Sequence, residues 1–149
     1  MTLPSTRCIW AFLLIGFLGL GMGGPEGRAQ EAASVSVARV QYSGGGDWYS
    51  DEKSLTQLFA FAQQHTLLDL PSKEKVVELT TDKLFAFPYL YLTGHGNVTF
   101  SAAETERLRR YLLQGGFLHI DDNYGLDEHI RPALENVFPE KKLVEVPFD

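Results

Sequence analysis

Two nearly continuous apolar stretches stand out in the chain, and both stop abruptly. Tyr89-Leu-Tyr-Leu-Thr93 runs into Gly94-His95-Gly96, and Phe117-Leu-His-Ile120 runs into Asp121-Asp122-Asn123-Tyr124-Gly125. Between them Leu108, Tyr111 and Leu112 recur at helical spacing behind Ser101, an N-cap residue with Glu104 three positions on. Strand, helix, strand in that order predicts a βαβ unit, whose parallel strands open their carboxyl ends on one edge of a sheet. Ligands of such sheets lie outside that edge. A site is therefore expected where residues 93–97 meet residues 121–124.

The same patterning predicts the remaining elements. Val35, Val37, Val40 and Tyr42 form a first strand that stops at Gly44-Gly45-Gly46. Ser54 with Gln57 reads as a capping box, and Leu55, Leu58, Phe59 and Ala62 place a helix over 54–64. Residues 67–75 connect it, broken by Pro71, to a short second strand over 76–79. Residues 81–87 form one helical turn, because Pro88 disfavours a helical Phe87. Gly115 in the left-handed position, with Gly116, ends the helix that begins at Ser101, and the fourth strand covers 117–120. Asp127 caps a last helix carrying Ile130, Leu134, Val137 and Phe138, with Pro132 either kinking it or marking its first turn. Residues 143–146 read as a fifth strand. A doubly wound sheet rarely ends on a bare strand, so a domain truncated at its carboxyl end is expected. The whole predicts a three-layer, flavodoxin-like α/β domain over 30–149, a parallel sheet with helices on both faces.

The first 29 residues change the picture of where the domain works. Arg7 is a positive start, residues 9–20 are apolar or glycine, and Gly27-Arg28-Ala29 offers small residues for cleavage before Gln30. That run is shorter than the roughly 20 residues a spanning helix needs. It fits a cleaved signal peptide, and thus a periplasmic or secreted domain, better than an uncleaved anchor, which would have to include residues 21–24. Membrane contact is expected only through such an anchor. Cys8, the single cysteine, precedes the apolar run, where a lipoprotein cysteine would follow it. Once residues 1–29 are removed there is no disulfide, thiolate ligand or cysteine nucleophile. The 11 basic and 18 acidic residues left give a net charge of −7 and no basic stripe, which disfavours nucleic acid.

Candidate chemistry sits at the predicted strand ends. Asp121, Asp122 and Asn123 either build a turn or present two carboxylates to a ligand, in which case the adjacent acids repel. His95 lies between Gly94 and Gly96, and glycines there suggest close backbone approach to something. His119 shares a strand face with Asp121 and is either a buried neutral histidine or, with His95 and Asp121, a ligand of zinc or another divalent ion. No pair has a recognised metal spacing, and no motif points to a particular cofactor. Gly44 to Gly46 fails as a phosphate loop: there is no Lys-Ser/Thr, and Asp47 would repel phosphate. A tight turn at Gly45 leading to Asp47, Trp48 and Tyr49 fits better, the aromatics serving as core lids or as a stacking platform for a sugar or peptide.

The run Tyr89-Leu-Tyr-Leu-Thr-Gly94, the S-x-x-E helix and Gly115-Gly116-Phe-Leu is similar to a pattern of the class I glutamine amidotransferase-like superfamily. More closely, V-x-Y-x-G-G-G-D-W-Y at 40–49, G-H-G at 94–96 and D-D-N-Y-G at 121–125 resemble the bacterial family called domain of unknown function 4159. The resemblance runs from Val37 to the end and implies a fold rather than a reaction. The superfamily's hydrolases carry a cysteine at a strand-to-helix elbow after the helix; here that position falls on Asp121 or Asp122. A carboxylate cannot perform thiolate acyl transfer, so glutamine hydrolysis by the usual mechanism is excluded. Two functions stay open. One is a non-catalytic binding or assembly module of the cell envelope, engaging an envelope protein or a small-molecule or saccharide ligand. The other is a hydrolase, metal-assisted or carboxylate- and histidine-dependent, acting through His95 and Asp121 or Asp122.

Overall fold

A computed structural model of the protein describes residues 33–148. The apolar amino-terminal segment and its cleavage site lie outside them. A short parallel ladder comes first, β1 (Ala33–Ser34) beside β3 (Leu68–Asp69), joined by Val35 N–H donating to the Asp69 carbonyl at 3.2 Å. The main sheet contains β2 (Val37–Gln41), β4 (Lys75–Glu78), β5 (Tyr89–His95) and β6 (Phe117–Tyr124). All its neighbours are parallel, in the order β4-β2-β5-β6. This is the flavodoxin-like order for four strands. The order reverses between β2 and β5, and the crevice outside their carboxyl ends is the topological switch point.

Helices cover both faces, as the sequence predicts. On one, α1 (Ser54–His65) buries Leu55 and Phe59 against Val37 and Tyr91. On the other, α2 (Ala102–Leu113) and α3 (Asp127–Val137) bury Leu108, Tyr111, Ile130 and Val137 against Ala38, Val40, Leu90 and Leu92. The central strands are apolar on both sides for this reason. A single 3-10 turn over Asp82–Ala86 adds Leu84 to the larger cluster.

Local signals account for most boundaries. The predicted capping box of α2 is present: Ser101 Oγ accepts from the Glu104 N–H, and the Glu104 carboxylate accepts from the Ser101 N–H at 2.8 Å. The one at Ser54 is not. Lys53 is the N-cap without a side-chain bond, and the Ser54 hydroxyl instead accepts from Arg39 at 3.3 Å. Asp127 does not cap α3; it is the first helical residue, behind Leu126. Pro132 lies inside that helix, beyond its first turn. The fourth strand runs past the predicted turn to Tyr124. The expected fifth strand does not form: residues 143–146 are exposed and pair with nothing among the described residues.

Gly115 has φ 93°, the left-handed value the helix stop requires, yet open space lies where its Cβ would be. Gly116 is the sterically demanding one, since a Cβ there would fall 2.2 Å from Tyr111 Cζ. The Tyr111 hydroxyl donates to the Phe87 and Phe117 carbonyls at 2.9 and 3.2 Å, tying the α2 terminus to the start of both strands. Gly115→Ala should cost about 1–2 kcal/mol, the left-handed penalty. Gly116→Ala should cost more, adding about 1–3 kcal/mol of overpacking to disturbed Tyr111 bonds. Urea denaturation of both variants checks the order; equal losses would contradict the Tyr111 contact.

Candidate functional site

The loop leaving β2 is built by one buried charge. Arg39 sits at an interior position of β2, 1% exposed, and all five of its guanidinium N–H groups have partners. Its Nε reaches both Glu74 oxygens at 3.1 Å. Nη1 donates to the Trp48 and Ser50 carbonyls at 3.3 and 2.7 Å, and Nη2 to the Asp51 carbonyl and Ser54 Oγ at 3.0 and 3.3 Å. Four residues of the chain over 48–54 are thus held by one side chain, and Asp51 has φ 53°. The guanidinium also lies over the Tyr91 ring, 5.4 Å from its centroid.

That loop delivers Asp47 to the switch point. Asp47 Oδ1 accepts from the His95 backbone N–H at 2.6 Å, and Oδ2 lies 2.9 Å from His95 Nδ1. The two residues stand 48 apart in sequence and meet because β2 and β5 are neighbours. The His95 backbone bond comes first among the causes that hold the Asp47 carboxyl below its usual range, ahead of the ring bond. The ring is half exposed, and its Nε2 has no hydrogen-bond partner among the described residues. Beneath lies the Tyr42 phenol, which burial, then the Asp47 charge, pushes up to about 12.

Glycines make the approach possible. A Cβ at Gly94 would fall 2.3 Å from the Tyr42 hydroxyl, and one at Gly46 would fall 2.5 Å from the Asn97 carbonyl. At Gly44 it would meet Thr99 Oγ1 at 1.9 Å, across the isolated bridge between those two residues. Gly45 and Gly96 have φ 75° and 64°. What the Gly94 backbone approaches closely is therefore the protein itself.

The other predicted site residues divide. Asn123 is the extra residue of a bulge in the β5–β6 ladder, and its amide turns to Ser50 and Asp51, joining the rim. Asp121 and Asp122 do not form an acid pair. Asp121 Oδ2 accepts from the Tyr91 hydroxyl at 2.9 Å on the α1 side of the sheet. Asp122 faces the opposite way and accepts from the Leu126 and Asp127 N–H groups at 2.8 and 3.3 Å, capping α3 from the preceding strand. His119 lies opposite Tyr91 in the ladder, away from the rim, its Nδ1 2.7 Å from the Tyr89 hydroxyl. The expected grouping of His95, His119 and Asp121 does not converge, and no cluster of three or more possible metal ligands occurs among the described residues. Trp48 packs against the core as a lid, whereas Tyr49 beside it is 60% exposed.

Glu104 is a further residue of the site, beyond its cap role. Its buried carboxylate accepts from the Ser43 N–H and hydroxyl at 3.0 and 2.7 Å, bolting the start of α2 to the loop after β2. Burial pushes its pKa up, but the bonds from Ser43 and Ser101 outweigh this and hold it below the usual value.

Fold and site together define a flavodoxin-like α/β domain with its rim at the β2/β5 switch point. The chain belongs to the family described as domain of unknown function (DUF4159), whose model matches residues 36–149. A comparison with curated proteins gives no match.

The lowered carboxyls make stability pH-dependent in a definite sense. A depressed folded-state value stabilises above the unfolded value and is lost as pH falls through the folded one. Glu104→Gln should therefore cost about 1–3 kcal/mol at pH 7, and the cost should shrink as pH falls below the ordinary glutamate value. Denaturant melts at pH 7 and in acid check this; a pH-independent difference would contradict it.

Proposed function

We propose that the protein is an exported, non-catalytic binding or assembly module of the bacterial cell envelope, on a scaffold of the class I glutamine amidotransferase-like kind. One observation carries this: Asp47, Asp121 and Asp122 each already have a hydrogen-bond partner inside the protein. Asp47 uses both oxygens on His95, Asp122 uses both on the start of α3, and Asp121 takes the Tyr91 hydroxyl. The positions that would hold the superfamily's nucleophile lie within β6 and carry no elbow. Outward-facing groups of these loops include His95 Nε2, which has no partner among the described residues, and the exposed ring of Tyr49. Such a surface suits a saccharide or a peptide segment of an envelope protein. The net charge of −7 for residues 30–149 argues against nucleic acid.

The Asp47–His95 pair supports a second reading. A carboxylate on Nδ1 orients the ring and leaves Nε2 free to act as a base, the arrangement used by hydrolytic dyads and triads. No serine, threonine or cysteine bonds to that nitrogen among the described residues, so water would be the group activated.

The full chain expressed in a secretion-competent bacterium should yield periplasmic protein beginning at Gln30 by mass spectrometry. That material should co-sediment with purified peptidoglycan sacculi, and Tyr49→Ala and His95→Ala should each weaken retention by about tenfold, a hot-spot effect, while circular dichroism shows the α/β fold retained. Absence of retention would contradict the saccharide assignment. Release of soluble fragments by wild type but not by His95→Ala would replace the binding module with the hydrolase.

A further inference from the structure

The α2/α3 face of the sheet carries an apolar groove of about 720 Å³ beside β6. Leu112 of α2, Leu118 and Ile120 of β6, and Leu134 and Phe138 at α3 line it, and Leu143 borders it beyond the helix. Asp47, His95 and the other rim residues take no part in it. We propose that this groove binds a free fatty acid, its alkyl chain along the apolar floor and its carboxylate on the cations at the margin. The inference goes beyond the binding reading of the rim and does not depend on it.

Charge supplies the first argument. Arg131, Lys141 and Lys142 line the groove against a single acid, Glu135, leaving a local excess of two positive charges. That margin runs against the net charge of −7 carried by residues 30–149. Arg131 Nε holds both Asp127 oxygens at 2.8 Å, while its two Nη groups have no partner among the described residues. Lys142 has no ion pair among them either. A guanidinium with open Nη donors and an unpaired ammonium together suit a carboxylate.

Size and shape supply the second. The volume falls within the range of small-molecule sites, about 300–1,000 Å³, which are mostly apolar with a few placed charges. Ten residues line the groove, whereas a stable protein partner covers roughly 20–30 on each side. Five of the six apolar ones are aliphatic, which suits an alkyl chain better than a stacked ring. The wall from Arg131 to Phe138 runs about 10 Å along the helix axis, so the groove is long enough to hold an extended chain.

The turn after α3 supplies the third. Arg109 Nη1 donates to the Val137 carbonyl at 2.7 Å, and its guanidinium grips Glu140 at 3.1 and 2.7 Å and covers the Phe138 ring at 4.8 Å. The Lys141 N–H closes a turn on the Phe138 carbonyl at 3.0 Å, and its ammonium lies 5.7 Å from the centre of the same ring. The two lysines are therefore carried by a turn that α2 already fixes. A groove end built in advance loses less ordering entropy when a ligand enters.

Isothermal titration calorimetry of protein recovered from a secretion-competent host tests this, with octanoate, decanoate and dodecanoate each kept below its micellar concentration. Affinity should rise about two- to fourfold for each added methylene. Decanol, which keeps the chain and lacks the charge, should bind about fivefold more weakly than decanoate. Combining Arg131→Gln with Lys142→Gln should remove that difference by weakening decanoate alone, and both side chains are on the surface, so the fold should survive. Amide shifts on adding decanoate should fall on Leu112, residues 118–120 and residues 131–143. Absence of saturable dodecanoate binding would overturn the proposal, as would affinity independent of chain length, decanoate binding unchanged in the double variant, or shifts elsewhere in the domain. Binding to anionic phospholipid vesicles without binding of the soluble acids would overturn it too, making this face a membrane contact.

Discussion

The rim depends on burying one guanidinium. Arg39 occupies a β2 position where an apolar side chain would pack, and a buried charge of that kind is tolerated only when every donor is satisfied. Satisfying it here requires the carbonyls of Trp48, Ser50 and Asp51 to turn inward together, with Glu74 supplying the opposite charge. The loop has few apolar contacts of its own, since of residues 47–51 only Trp48 packs on the core. Its course is therefore set from below by a polar network rather than by packing. Asp47 is held at the near end of that loop, and through it the His95 ring.

A second bolt fixes the other side of the same loop. Glu104 uses the start of α2 to hold Ser43, while the Gly44–Thr99 bridge and the close contact of Gly46 with Asn97 press the β2 and β5 loops together. Both bolts are charged groups with their hydrogen bonds made, and no buried polar side-chain atom is left without a partner among the described residues. Networks of this kind specify one arrangement because a half-satisfied version is costly. The network fixes how Asp47 and His95 meet across the β2/β5 switch point.

Much of this was legible in the sequence, and the rest was not for identifiable reasons. The β5–α2–β6 unit could be read because its signals are local: apolar runs, a capping box, a glycine stop. Asp47 and His95 were both legible as candidates, although nothing in sequence spacing shows that they touch. Asp122 misled, because its partners are backbone N–H groups four and five residues on, and a cap supplied from the preceding strand leaves the same Asp-Asp signature as a paired site. Ser54 misled in the same way, its hydroxyl being claimed by Arg39 instead of its own helix. Arg39 itself was missed, yet a signal existed. A lone arginine inside V-A-R-V-Q, with apolar residues on both sides, is rarely buried unless paired, and that alone marks it. Which residues answer it, some 35 positions away at Glu74, is set by tertiary structure.

The dependence of the rim on Arg39 is most directly tested by amide-resolved NMR of Arg39→Lys. Lysine keeps the charge but offers three donors on a point rather than five in a fork, so some of the loop carbonyls must lose their partners. The resonances of Asp47, residues 48–54 and the His95 amide should shift or broaden, while those of Leu90, Leu92 and α2 stay in place. A spectrum in which Asp47 and His95 are unmoved would show that the rim stands without the buried guanidinium.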